Sequence, residues 1–111
     1  MTGERIRLTL PLSFWGGYDP QTGTIIDPAH PQCGEVLAGR VVAIERTRGS
    51  TSAPGALLES IRLGTGPAAF ELGEPDAAVI VATELARSLY GIEVPVRIVS
   101  PGDRDREQSG R

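Results

Sequence analysis

The sequence predicts an α/β fold, and three observations support this prediction. From Val41 to Val99, short apolar runs of strand length alternate with longer segments of helical periodicity. Glycine and proline lie at or near the ends of these segments. The segments follow the order strand, helix, strand, helix, strand, which is typical of an α/β fold with right-handed crossovers.

The first third of the chain predicts further β structure around a long loop. Alternating apolar and polar residues predict a strand over residues 6–10, which Pro11 ends. Residues 12–31 are rich in turn-forming residues, with a short strand predicted over 24–26. A loop of this length is usually functional or disordered, and its aromatic residues argue against disorder because they favour burial. We expect an interface or a satellite core to include Phe14 and Trp15.

The alternating pattern begins with a buried strand predicted over residues 41–44. A short helix is predicted from Ala56 to Leu63, because Leu57, Leu58 and Ile61 have helical spacing. Gly64 or Gly66 is expected to end this helix. A third strand is predicted over residues 68–72.

The strongest helical pattern begins after Pro75-Asp76 and ends at Gly91. Residues 76–82 also fit a strand followed by a turn, but the helix is favoured. A last strand is predicted over 94–99, at an edge of the sheet because it contains Pro95 and Arg97. One apolar stripe predicts the buried face of the helix: Val79, Ala82, Leu85, Ala86 and Leu89.

The length of 111 residues is sufficient for one domain with one core, which we expect over residues 1–100. The polar tail, residues 101–111, is expected to be disordered. No apolar run approaches the ~18 residues that span a bilayer, and the first residues do not resemble a signal peptide. A membrane partner is therefore not expected. A single cysteine, Cys33, cannot form an internal disulfide, which favours a cytoplasmic protein.

The charge pattern argues against nucleic acid as a partner. The formal net charge is −3, and the basic residues are scattered arginines with no lysine among them. Two tyrosines, two phenylalanines and one tryptophan are too few for a base-stacking platform.

Several polar residues have structural roles as their simplest interpretation. His30 lies in a proline-rich turn and is expected to anchor its loop by hydrogen bonds. Asp19 and Asp27 suit Asx turns. Arg46 is expected on the surface, and Cys33 is expected to be a small buried hydrophobic residue. No set of metal-ligating residues is predicted within the chain.

A small hydroxyl-rich segment, Arg48-Gly49-Ser50-Thr51-Ser52, connects the predicted strand over 41–44 to the following helix. We call it the serine segment. Backbone N–H groups at a helix N-terminus, with an arginine nearby, form a site for an anion. A serine at this place can cap the helix, bind a ligand or react. Capping is common and stabilises a helix by ~1 kcal/mol, so the spacing alone favours the cap.

Two blocks of the sequence together resemble a known family. The first runs from Pro11 to Gly23 and continues from Ile26 to Pro31. The second comprises Leu37-Ala38-Gly39-Arg40-Val41-Val42, the serine segment and Gly66-Pro67-Ala68-Ala69. They are similar to the small subunit, or swivelling domain, of the aconitase X family, which includes cis-3-hydroxy-L-proline dehydratases and phosphomevalonate dehydratases. The resemblance extends from about Pro11 to Val99.

The resemblance implies a β/β/α swivelling domain that closes over an iron–sulfur cluster held by a separate large catalytic subunit. Because this chain has one cysteine, the cluster is implied in that partner and not here. The implied activity is that of a hydro-lyase acting on a small hydroxy acid. The form Ser50-Thr51-Ser52 slightly favours cis-3-hydroxy-L-proline over 5-phosphomevalonate.

The same resemblance implies roles for the serine segment. Ser50 is the implied catalytic base, and Arg48, Gly49, Thr51 and Ser52 are implied in substrate binding. Gly49 allows the backbone to approach closely, Thr51 is expected to be largely structural, and Ser52 suits the helix cap. Arg48 either pairs with a substrate anion or lies on the surface. The alternative to an enzyme is a swivelling domain that serves as a stand-alone binding or regulatory module.

Overall fold

Four parallel strands form the central sheet of the protein. The structure, a computed structural model, describes residues 4–48 and 53–99. In chain order, the elements are β1 (Arg5–Arg7), β2 (Tyr18–Asp19), β3 (Thr24–Ile25), β4 (Val41–Ile44), α1 (Ala53–Leu63), β5 (Ala69–Leu72), α2 (Ala77–Tyr90) and β6 (Val96–Ile98). The sheet has the strand order β1-β4-β5-β6, with every neighbouring pair parallel. This arrangement confirms the predicted α/β fold and the edge position of the last strand.

One face of the sheet and both helices enclose the hydrophobic core. Val42 pairs in register with Ile6 on one side and Phe70 on the other. All three side chains are buried in one cluster with residues of α1 and α2, such as Leu57 and Val79. The two helices also contact each other. They therefore cover the same face of the sheet.

The loop between β1 and β4 contributes to this core instead of forming a separate one. Phe14 is fully buried and packs edge-on against Tyr18 and Phe70, with ring centroids 4.8 and 6.2 Å apart. The expectation of a satellite core is therefore wrong for Phe14, because its ring packs in the main core against the sheet. Trp15 is 59% exposed. The predicted short strand is confirmed as β3, which pairs with β2, a strand that the sequence did not predict.

Both helices are confirmed, with small changes at their ends. Helix α1 begins at Ala53, earlier than predicted, because the fixed φ of Pro54 suits a first helical turn. It ends just before Gly64, which has a φ of +84°. Because α2 is a continuous helix, the alternative of a strand followed by a turn over residues 76–82 is wrong. It ends at Gly91, where a φ of +67° allows the backbone N–H to donate to the Arg87 carbonyl.

The predicted buried stripe of α2 is partly wrong. Val79, Ala82 and Ala86 are buried, but Leu85 is 39% and Leu89 61% exposed. At 3.6 residues per turn, Leu85 lies about 120° around the helix from Val79 and faces outward, whereas Leu89 lies in the last turn of α2. The face is completed by Thr83, whose hydroxyl donates to the Val79 carbonyl at 2.9 Å.

The outer strands are shorter than predicted. After β1, the Leu8 N–H still donates to the Ala43 carbonyl at 2.8 Å, but the Thr9 N–H donates to Gln32 Oε1. The chain therefore leaves the sheet before residue 10. Strand β6 covers only Val96–Ile98, although the Pro95 carbonyl and the Val99 N–H still bond to β5. The predicted tail, residues 101–111, lies outside the described residues. In the described part of the chain, no helix is long and apolar enough to cross a membrane.

Candidate functional site

The carboxyl ends of the four parallel strands meet at one edge of the sheet. Beyond β4 and β5, the chain segments continue side by side at this edge. The Gly73 N–H donates to the carbonyls of Ile44 and Glu45, both at 3.1 Å, and the Glu74 N–H donates to Glu45 at 3.3 Å. In open α/β sheets, ligands bind beyond the carboxyl ends of the strands, at the point where the strand order reverses. The order β1-β4-β5-β6 does not reverse, so the residues that follow β4 are a candidate site only by their position at these strand ends.

Asp76 joins these two segments. Its carboxylate caps α2 by accepting a hydrogen bond from the Val79 N–H at 3.2 Å. It also accepts the Thr47 N–H at 2.7 Å, and both of its oxygens lie within 2.9 Å of the Thr47 hydroxyl. Asp76 is only 8% exposed, so these donors offset the cost of burying its charge. The backbone directly before Arg48 is thus attached to the start of α2.

The loop after β1 attaches to the other side of the same backbone. Leu12 and Thr47 form a parallel bridge, and the Arg48 N–H donates to the Leu12 carbonyl at 3.0 Å. The Arg48 guanidinium lies 3.8 Å from the Asp27 carboxylate, and its side chain is 68% exposed. Such an exposed contact contributes little to stability. The Arg48 side chain is therefore largely open to solvent and only weakly held by Asp27.

The structure describes one residue of the serine segment. Arg48 is described, whereas Gly49, Ser50, Thr51 and Ser52 lie outside the described residues. The roles assigned to these four residues stay predictions. The chain on both sides is placed: Arg48 lies at the carboxyl edge of the sheet, and α1 begins at Ala53.

An apolar recess of about 350 Å³ lies beside the first turn of α1. In this recess, aromatic residues of the loop between β1 and β4 lie close to the start of α1. Its walls are formed by Phe14, Trp15, Gly16, Tyr18, Pro20 and Ala56. The sequence did not predict this recess, although Phe14 and Trp15 directly precede the glycine pair Gly16-Gly17. A recess of this volume is within the range of small-molecule sites.

Three of the structural roles assigned to polar residues are confirmed. The Gln32 N–H donates to His30 Nδ1 at 3.0 Å, so Nε2 carries the proton and donates to the Leu10 carbonyl at 3.1 Å. His30 is therefore a buried loop anchor. Asp19 and Asp27 form Asx turns by accepting the N–H groups two residues later, each at 2.9 Å.

Arg46 is half exposed beside Glu74, as expected of a surface residue. Cys33, expected to be buried, is exposed. It lies in a turn in which its own N–H donates to the His30 carbonyl, and this turn directs the thiol outward.

The residues of this chain do not fit an iron–sulfur cluster. Such clusters are held by several cysteine thiolates, and the one cysteine here is exposed on a turn. Within residues 4–48 and 53–99, no three His, Cys, Asp or Glu side chains come together as a possible metal site.

Tyr18 belongs both to the wall of the recess and to the core. We expect its ionisation to lower the free energy of unfolding at alkaline pH. Burial raises its pKa to about 12, partly offset by the neighbouring Ser60 hydroxyl. The unfolded tyrosine ionises near pH 10, so the stabilisation is complete below that pH and is lost as pH rises towards 12. Urea unfolding at increasing pH should show this loss. Tyr18→Phe should reduce it, whereas Tyr90→Phe, at an exposed position, should not; equal slopes for all three proteins would contradict the assignment.

Comparison with known proteins agrees with this architecture. Residues 1–105 match a family described as the aconitase X swivel domain. The chain is 38% identical over 102 residues to the cis-3-hydroxy-L-proline dehydratase of Hypocrea jecorina, covering 92% of this chain and 17% of that protein. It is 43% identical over 74 residues to the phosphomevalonate dehydratase small subunit of Methanopyrus kandleri, covering 67% of this chain and 55% of that protein.

A solved structure shows the same fold. The crystal structure of Thermococcus kodakaraensis aconitase X in its holo-form superposes with a TM-score of 0.72 at 31% identity. The match covers 76% of this chain and 64% of that chain. The chain thus spans less than a fifth of the hydroxyproline dehydratase and about half of the small subunit. On the match over residues 1–105, this chain belongs to the aconitase X swivel-domain family.

Proposed function

We propose that this chain is the small subunit of a hydro-lyase of the aconitase X type, which dehydrates a small hydroxy acid together with a larger subunit. The observation that carries this proposal is the family match together with the names of the relatives. Residues 1–105 match the aconitase X swivel domain, and a relative that is 43% identical over 74 residues is named a dehydratase small subunit. A small subunit implies a larger partner, to which we assign the rest of the catalytic machinery. We further propose a cytoplasmic enzyme, because Cys33 is unpaired within the chain.

The role proposed for this chain is to supply the base. Dehydration of a hydroxy acid requires removal of a proton next to the carboxylate and departure of the hydroxyl. We propose Ser50 as the residue that removes the proton. A serine alkoxide needs positive charge and N–H donors nearby. Support comes from the described flanks, since Arg48 is exposed at the carboxyl edge and α1, with its positive dipole end, begins at Ala53.

The remaining residues of the serine segment are proposed to bind the substrate. Arg48 would pair with the carboxylate, and Gly49, Thr51 and Ser52 would present backbone N–H groups, while the Ser52 hydroxyl would cap α1. The iron–sulfur cluster is proposed to lie in the larger subunit, and the cluster would assist the departure of the hydroxyl. No residue described in this chain is assigned to that half of the reaction.

Two substrates are named among the relatives, and we propose cis-3-hydroxy-L-proline ahead of 5-phosphomevalonate. This order rests on the form Ser50-Thr51-Ser52. The apolar recess beside the start of α1 suits the aliphatic groups of either compound. Turnover of both compounds by the reconstituted enzyme would decide between them.

Reconstitution tests the proposal directly. The purified chain is expected to bind no iron and to have no lyase activity, because its single cysteine cannot hold a cluster. Co-expression with a cluster-bearing large subunit should give a complex that contains iron and dehydrates one of the two substrates. Stoichiometric iron in the isolated chain would contradict the division of labour. A stable complex without turnover of any hydroxy acid would favour a binding module instead.

The fluorescence of Trp15 should change when the large subunit binds. Its side chain is 59% exposed at the recess, and an exposed aromatic beside a proposed site suits an interface. Because it is the only tryptophan in the chain, its emission can be followed against a large subunit whose own signal is subtracted. We expect a shift of the emission to shorter wavelength on binding. An unchanged spectrum, with binding confirmed by ultracentrifugation, would place Trp15 outside the interface and the cleft.

A further inference from the structure

The carboxylate of Asp76 has more hydrogen-bond donors than a helix cap requires. A cap needs one oxygen, and Oδ1 fulfils this role by accepting the Val79 N–H. The second oxygen, Oδ2, accepts the Thr47 N–H at 2.7 Å, which is the shortest of these contacts. The Thr47 hydroxyl adds a third donor to the same carboxylate. The extra donors come from a segment that is distant in sequence.

Thr47 links the Asp76 carboxylate to Arg48 of the candidate site. It directly precedes Arg48, whose N–H is bound to the Leu12 carbonyl. The backbone at residues 47 and 48 is therefore held from two sides, by Leu12 and by the buried carboxylate. The side chains of Arg46 and Glu74 are both exposed and lie 3.7 Å apart, so this contact is weak. Asp76 is thus the buried anchor on the α2 side.

We propose that Asp76 is a positioning residue for the site. Its carboxylate fixes Thr47, and through Thr47 it fixes the backbone from which the Arg48 guanidinium extends. The catalytic consequence rests on the proposed function, in which Arg48 binds the substrate anion. The structural part, that Asp76 holds the Arg48 backbone against Leu12, does not depend on it.

Amide hydrogen exchange of the full chain, followed by NMR, tests the structural part. Asp76→Ser keeps a good helix cap but is too short to reach Thr47. It should increase exchange of the Arg48 amide about tenfold relative to the Phe70 amide, which is bonded within the sheet. Thr47→Val leaves the cap of α2 untouched and removes one donor, so it should give a smaller increase of the same kind. This variant carries the test if Asp76→Ser is too unstable to study.

A matched control separates positioning from general loss of stability. Thr83→Val also removes a buried hydroxyl, one that bonds within α2, and it should leave the ratio of Arg48 to Phe70 exchange unchanged. If the Asp76 and Thr47 variants also leave this ratio unchanged, Asp76 is only a helix cap and the proposal is overturned.

Kinetics of the reconstituted complex test the catalytic part. Turnover per assembled complex should fall about tenfold for Asp76→Ser and remain near wild type for Thr83→Val. An active wild-type complex whose turnover Asp76→Ser does not change would overturn the positioning role in catalysis. An inactive wild-type complex would refute the proposed function, while the exchange result would still decide whether Asp76 holds Arg48.

Discussion

Replacement of Ser50 by alanine is expected to lower the turnover of the reconstituted enzyme by about 10²–10⁴-fold, the contribution typical of a general base. The variant should fold and bind the large subunit as the wild type does, because the change removes only one hydroxyl group. The substrate KM should change little, since a base acts mainly in the transition state. Single-turnover kinetics and the melting temperature of the isolated chain measure the two effects separately.

Ser52→Ala is the matched control, because it removes the same group from the same segment directly before α1. A cap acts in folding, so we expect a loss of ~1 kcal/mol of stability with much of the turnover retained. An inactive Ser52→Ala with an active Ser50→Ala would assign the base to the other hydroxyl. Normal turnover in both variants would exclude a serine base in this protein.

Phe14→Ala is expected to cost about 3–5 kcal/mol of unfolding free energy, the usual range for a fully buried phenylalanine. The ring is completely buried and packs against Tyr18 and Phe70, so its removal leaves a cavity between the loop and the sheet. A domain of this size is stable by about 5–15 kcal/mol, so the variant should lose a large share of its stability and unfold at a clearly lower urea concentration. Urea denaturation followed by circular dichroism provides the measurement.

The neighbouring tryptophan provides the control for this prediction. Trp15→Ala removes a larger side chain one position later, but that side chain is 59% exposed. The loss should therefore be clearly smaller than for Phe14→Ala, because less of this side chain is buried on folding. Similar losses for the two variants would mean that Phe14 is not the residue that joins the loop to the core.

Regular local patterns were sufficient to predict much of the fold. Four apolar residues in a row predicted β4 at its observed bounds, Val41–Ile44. Helix α2 was predictable because Asp76 and Gly91 mark its two ends. The family resemblance then indicated the swivelling-domain architecture, which periodicity alone does not distinguish from other α/β folds.

The features that were missed depend on contacts between distant parts of the chain. Strand β2 has two residues and exists because Tyr18 pairs with Ile25. Leu85 and Leu89 fit a helical stripe, but packing selected Thr83 instead, because helix rotation is set by the neighbouring surface. The bond between Asp76 and Thr47 is likewise invisible in sequence. For the candidate site, the sequence supplied the serine segment, and the structure supplied the surroundings of Arg48.

The strand order of the sheet has a consequence for how the protein folds during synthesis. Strand β1 leaves the ribosome first, yet its partner is β4, with Arg5 paired to Val41. The N-terminal strand must therefore wait, unpaired, until the whole loop and β4 have emerged. By contrast, only α1 and its connections separate β4 from β5, so these two strands can pair sooner after they are made. Non-local parallel pairing of this kind slows folding, so the docking of β1 should be the late step.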